Sequence, residues 1–129
     1  MIYLDTSVAL AHLLAEDRQP PDSLWRETLV SSRLLEFELW TRLHARGLVR
    51  THEEAARALT GRIAFLELVR EVLDRALNAF PAPVRTLDAL HLASLDFIRS
   101  QGRPIALASY DARMLAAARP LGIEIWPLE

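Results

Sequence analysis

The chain has 129 residues, 51% hydrophobic and 25% charged, with a net charge of −2. That length fits one domain (residues 1–129) with a sizeable apolar core, and the charge argues against a protein that grips duplex DNA by a basic surface alone. The absence of Cys excludes disulfides, thiolate metal sites and a cysteine nucleophile, and no apolar stretch approaches the roughly 18 residues of a membrane span.

Residues 1–4 form an apolar run that reads as a buried strand. The opening lacks a basic segment followed by a long apolar one, so it does not read as a secretory signal, and a cytoplasmic location is expected. Asp5-Thr6-Ser7 supplies a turn and cap before an apolar helix over 8–15. Pro20-Pro21-Asp22 opens a short helix carrying Trp25, and 29–32 reads as a second strand. A helix is predicted over 33–46, stopped by Gly47. Thr51 and Glu54 stand at capping-box spacing, predicting a helix from there to about residue 65. A third strand over 66–69 and a helix over 72–80 follow. Thr86 is expected to cap a long helix over 87–99; then come a strand over 104–109, a helix over 111–118 and a closing strand over 123–126. This alternation, with strands apolar on both sides, predicts a parallel sheet covered by helices on both faces.

Ligands of open parallel sheets bind beyond the carboxyl ends of the strands. Asp5 ends the first strand, and Asp111 follows the strand before it by two residues, Ser109 and Tyr110. Glu36 and Glu38 lie in the first turns of the helix after the second strand, and Asp88 in the first turn of the long helix. Taken singly, Asp5 and Asp111 are ordinary helix caps and Asp88 a dipole partner. Asp88, however, opens a helix that is apolar nearly all round, and a buried carboxylate needs a partner such as a shared cation. Periodicity does not separate Glu36 from Glu38.

Four segments resemble one known family in order and spacing. Ile2-Tyr3-Leu4-Asp5-Thr6-Ser7, Ser31-Ser32-Arg33-Leu34-Leu35-Glu36-Phe37-Glu38-Leu39, Arg85-Thr86-Leu87-Asp88-Ala89-Leu90-His91-Leu92-Ala93 and Ala108-Ser109-Tyr110-Asp111-Ala112-Arg113-Met114 are similar to the motifs of PIN domains, and within them of the VapC-type toxins of bacterial toxin–antitoxin pairs. The third is the closest match, and the second places the family's acid at Glu38. The resemblance implies a three-layer α/β/α sandwich around a mainly parallel sheet of four to five strands. It also implies divalent-metal-dependent endoribonuclease activity, a homodimer, and inhibition by a cognate antitoxin. The segment 51–83 matches loosely.

Asp5, Glu38, Asp88 and Asp111 would then form an oxygen-only site, which suits Mg²⁺ or Mn²⁺ better than zinc or copper. Thr6, Ser7 and Ser109 are candidates to orient those carboxylates. Arg33, Arg42 and Arg46 are candidates for phosphate contact on RNA, although all fifteen basic residues are Arg, a bias that GC-rich coding explains equally well. His91, three residues after Asp88, reads as a hydrogen-bonded buried histidine rather than a catalytic one. Asp96 stands too far along its helix to share an ion with Asp88. The aromatic residues Trp25, Phe37 and Trp40 read as core or dimer packing. Two rival functions are a metal-dependent phosphatase of another α/β fold and a PIN-like module that binds RNA or protein without cutting. The first commonly needs an acid where this chain has Ser7.

Overall fold

A computed structural model describes all residues, 1–129. Five parallel strands, β1 (Ile2–Leu4), β2 (Leu29–Ser32), β3 (Ile63–Leu66), β4 (Ala106–Ala108) and β5 (Glu124–Ile125), lie in the order β3-β2-β1-β4-β5. Six α-helices connect them: α1 (Thr6–Leu13), α2 (Leu34–Ala45), α3 (Val49–Thr60), α4 (Arg70–Ala76), α5 (Thr86–Ser100) and α6 (Ala112–Ala118). The expected three-layer α/β/α sandwich is the observed fold.

The two-residue alternation of a strand divides the core into two layers. Ile2, Leu4, Ala106 and Ala108 pack with Val8 of α1, Leu35, Leu39 and Leu43 of α2, and Ala56 and Leu59 of α3. From the opposite face, Tyr3 and Leu107 pack with Leu92, Leu95 and Ile98 of α5 and Met114 and Ala117 of α6. The spacing of Leu35, Leu39 and Leu43, one side chain per helical turn, is what commits α2 to the sheet, and all three are fully buried. Truncating any of them to Ala removes about 2–5 kcal/mol. No helix is long and apolar enough to cross a membrane.

Four expectations are corrected. The third strand is Ile63–Leu66 rather than 66–69, and α3 stops at Thr60 instead of continuing to residue 65. Pairing with β2 in the register Leu29↔Ile63 to Ser32↔Leu66 decides this, because it completes the backbone hydrogen bonds of β2's outer edge. The capping box at Thr51 does not form: α3 begins at Val49, and the Thr51 hydroxyl donates to the Leu48 carbonyl from within the first turn. Nor is Thr86 a cap; it is the first residue of α5, with Arg85 at the cap position. Gly47 stops α2 as expected, at φ +65°, a conformation that other residues seldom adopt.

The sheet sets the site. From β1 the chain moves outward to β2 and β3 on one side, then returns across to β4 and β5 on the other. The switch point therefore lies between β1 and β4, whose carboxyl ends lead to Asp5 and Asp111.

Candidate active site

A cleft of about 830 Å³ opens at that switch point, and Asp5, Glu38, Asp88 and Asp111 all line it. Glu36 does not; its carboxylate pairs with Arg33 at 3.0 Å. Each of the four acids reaches the cleft from a different element, and each is anchored to the protein through one of its two oxygens.

Asp5 ends β1 at the cap position of α1, but its side chain does not cap. Its Oδ2 instead accepts from Ser7 Oγ at 2.6 Å and Ser109 Oγ at 2.8 Å. The same two hydroxyls accept the backbone N–H groups of Tyr110 and Asp111, so they fasten the loop after β4 to the turn after β1. Glu38 projects from α2, where its Oε1 accepts from Thr6 Oγ1 at 2.8 Å and lies 2.6 Å from His91 Nε2. Asp88 Oδ2 accepts the Arg85 backbone N–H at 3.2 Å, closing the first turn of α5. Asp111 caps α6 through Oδ1, which accepts from Arg113 N–H and Met114 N–H. In all four residues the second oxygen has no protein partner. Because the Tyr110 hydroxyl is the one buried side-chain polar atom without a partner, none of these free oxygens is sealed from solvent. Thr6, Ser7 and Ser109 thus each donate to one of the acids.

The acids also sense one another. Asp88 is 8% exposed, and burial pushes its carboxyl above the usual range; the Arg85 N–H pulls it down, and Asp111 and Asp5 push it up again. Six carboxylates line the cleft (Asp5, Glu16, Asp17, Glu38, Asp88 and Asp111) against three guanidiniums (Arg18, Arg42 and Arg85). The buried Tyr3 hydroxyl, raised by desolvation and by Asp5, stays protonated.

The cleft does not close into a cage: no three of its Asp, Glu and His side chains come within joint reach of one ion. The chemistry of the donors nevertheless fits a hard divalent cation: carboxylate oxygens, no sulfur, and mutual repulsion for the ion to relieve. An open arrangement suits Mg²⁺, which dehydrates reluctantly and is commonly held by one or two carboxylates with waters completing its shell.

Of the three arginines expected at phosphates, only Arg42 lines the cleft. Arg33 is committed elsewhere: it bonds Glu36 and Glu67 and lies over the Phe65 ring. Arg46 is exposed outside the cleft. Asp96 pairs with Arg75 and Arg99. Trp25 and Trp40 pack at the margin of the core, beneath Arg62 and Arg57, whereas Phe37 is 65% exposed. Arg18 and Tyr110, stacked at 4.6 Å, join the cleft with no sequence signal, since only the folded path of the loop after α1 brings them together.

A parallel three-layer fold with half-anchored acids at its switch point defines a class of acid-cleft α/β domain. The PIN-domain model matches residues 2–120, and the chain belongs to that family. Among its relatives, Ribonuclease VapC46 of Mycobacterium tuberculosis is 37% identical, aligned over 96% of this chain and 95% of its own length. Ribonuclease VapC47 of the same species is 33% identical over 95% and 93%. The crystal structure of M. tuberculosis VapC20, described as a sarcin–ricin loop cleaving toxin, matches the fold with a TM-score of 0.65 at 22% identity, covering 91% of this chain and 95% of that one.

Proposed function

We propose that the chain is a metal-dependent endoribonuclease, the toxin of a toxin–antitoxin pair, that hydrolyses a phosphodiester in a structured cellular RNA such as a transfer or ribosomal RNA. The observation that carries this reading is the shared pattern of the four acids: each lines one common cleft, with one oxygen anchored and the other without a protein partner. The names of the two ribonuclease relatives and of the toxin of like fold support the activity and the substrate class.

Charge makes a cation necessary under this reading. A cleft with six carboxylates and three arginines repels an RNA phosphate. Asp5, Glu38, Asp88 and Asp111 would hold Mg²⁺ or Mn²⁺, some directly and the others through water of the ion's own shell. When bound, such an ion supplies an activated water and neutralises charge at the scissile phosphate. The protein's own part is positional. Ser7 and Ser109 fix the Asp5 carboxylate, Thr6 and His91 fix Glu38, and the helix cap fixes Asp111. Arg42 stands on the same wall as a phosphate contact. RNA enters as an unpaired loop, where base edges are open to reading. Exposed Phe37, Leu73, Leu77 and Leu87 supply apolar surface that a second copy of the chain or a cognate antitoxin covers.

The test is cleavage of total cellular RNA by the purified chain, with new ends mapped after adding Mn²⁺ or Mg²⁺. Wild-type protein should cut at discrete sites only with metal, and Asp88→Asn should be folded and inactive. Equal cutting by both sinks the assignment, as does metal-dependent activity confined to a small phosphomonoester.

A further inference from the structure

His91 lines the cleft beside the acids but is only 2% exposed. Its two ring nitrogens are nonetheless both engaged. Nδ1 lies 2.8 Å from the Tyr3 hydroxyl, and Nε2 lies 2.6 Å from Glu38 Oε1. Thr6 Oγ1 is 3.2 Å from the same Nε2 but donates its own proton to Glu38 Oε1.

These contacts determine where the ring proton sits. A contact of 2.6 Å between Nε2 and a carboxylate oxygen requires a proton between them, and Glu38 as a carboxylate has none to give. Nε2 therefore carries it. The Tyr3 oxygen already accepts the Ser32 backbone N–H at 3.2 Å. Ser31 and Ser94, the nearby hydroxyls, donate to the carbonyls of Leu4 and Leu90, so neither donates to Tyr3. Neither serine oxygen meets the Tyr3 hydroxyl at hydrogen-bond geometry, so the phenolic proton points to His91 Nδ1, which is left as an acceptor. One directional chain results: Ser32 N–H to Tyr3 O–H to His91 to Glu38. It runs from β2 through β1 and α5 to α2, crossing the sheet's central strand.

We propose that His91 is a positioning residue for the cleft: the Tyr3 hydroxyl donates to Nδ1 and locks the ring with a proton on Nε2, and that N–H holds Glu38 so that its other oxygen faces the cation. The proposal rests on the metal-cleft reading above. A ring clamped from both sides orients a ligand carboxylate more firmly than an exposed side chain, because neither partner rotates without breaking a buried hydrogen bond. Glu38 needs such a clamp most. It projects from mid-helix, with one more rotatable bond than the three aspartates and no backbone N–H on its anchored oxygen.

Two measurements test it. The first uses metal-free protein labelled with ¹⁵N at histidine. The His91 ring, assigned by its loss in His91→Gln, should show one slowly exchanging proton on Nε2 and an unprotonated Nδ1, and Glu38→Ala should shift and expose that proton. A proton on Nδ1, or no response to Glu38→Ala, overturns the proposal, whether or not the other variants fold. The second measurement is Mn²⁺ binding and RNA cleavage. His91→Leu should lose about 10- to 100-fold in Mn²⁺ affinity, with kcat falling more than KM rises. His91→Gln, whose amide N–H reaches the same oxygen, should recover most of that loss, a rescue that a merely space-filling role does not give. Folded His91→Leu with wild-type Mn²⁺ affinity overturns the positioning role and leaves the metal reading intact. Wild-type protein that shows the Nε2 proton but binds no Mn²⁺ overturns the metal reading instead and upholds the clamp on Glu38.

Discussion

Ser109 Oγ donates to Asp5 Oδ2 at 2.8 Å across 104 residues of chain and accepts the Asp111 backbone N–H at 2.9 Å. One buried hydroxyl thus sets two acids of the cleft at once. Ser109→Ala leaves both partners short of a bond in a site that is 4% exposed, and should cost about 1–3 kcal/mol of stability. It should also weaken Mn²⁺ binding about 10- to 100-fold. Urea unfolding and a Mn²⁺ titration on the same preparation check both effects.

Metal itself should stabilise the fold. At a hundred times its dissociation constant, a cation that binds only the native state adds about 2.7 kcal/mol. Mg²⁺ or Mn²⁺ should therefore raise the melting temperature of the wild type, and raise it less for Asp5→Asn. Equal rises in a thermal scan would remove Asp5 from the set of ligands.

Asp88 gives a pH dependence with a definite sign. Burial raises its folded-state value first, and Asp111 and Asp5 add to the rise. The charged form is thus disfavoured in the fold, and in metal-free buffer at neutral pH Asp88 lowers stability. That deficit shrinks as pH falls through the raised value and is gone below the unfolded value of about 3.9. Asp88→Asn keeps an acceptor for the Arg85 N–H and should melt higher than wild type at pH 7 without metal. The gap should close toward pH 4, and saturating Mn²⁺ should reverse the order. Melting curves across that range decide it.

Arg42 and Arg33 separate cleft contact from surface charge. Arg42→Ala should raise KM for RNA several-fold with little change in kcat. It should also reduce the slope of log affinity against log salt by about 0.7, the loss of one single-strand phosphate contact. Arg33→Ala breaks the pairing with Glu36 and Glu67 and should leave RNA affinity unchanged. Filter binding at several salt concentrations reads both.

The acids were legible in the sequence because a parallel sheet places function at strand ends, and Asp5 and Asp111 mark two of those ends by interrupting apolar runs. Glu38 was separable from Glu36 only by family resemblance, since both sides of α2 carry leucines; the fold places Glu38 in the cleft and turns Glu36 to Arg33. The third strand was misplaced because Ile63, Phe65 and Leu66 continue the apolar pattern of α3, and four residues are too few to display a period of their own. Pairing with β2 makes them a strand, and pairing is not written in local sequence. The hydrogen bonds of His91 and the stacking of Arg18 on Tyr110 are illegible for the same reason: their partners lie 53 to 92 residues away.

The central place of β1, with β2 on one side and β4 on the other, bears on how the protein is made. Asp5 and Ser7 emerge from the ribosome early, but the second serine that fixes Asp5, Ser109, and the acid opposite it emerge about a hundred residues later. A growing polypeptide therefore carries no assembled cutting centre.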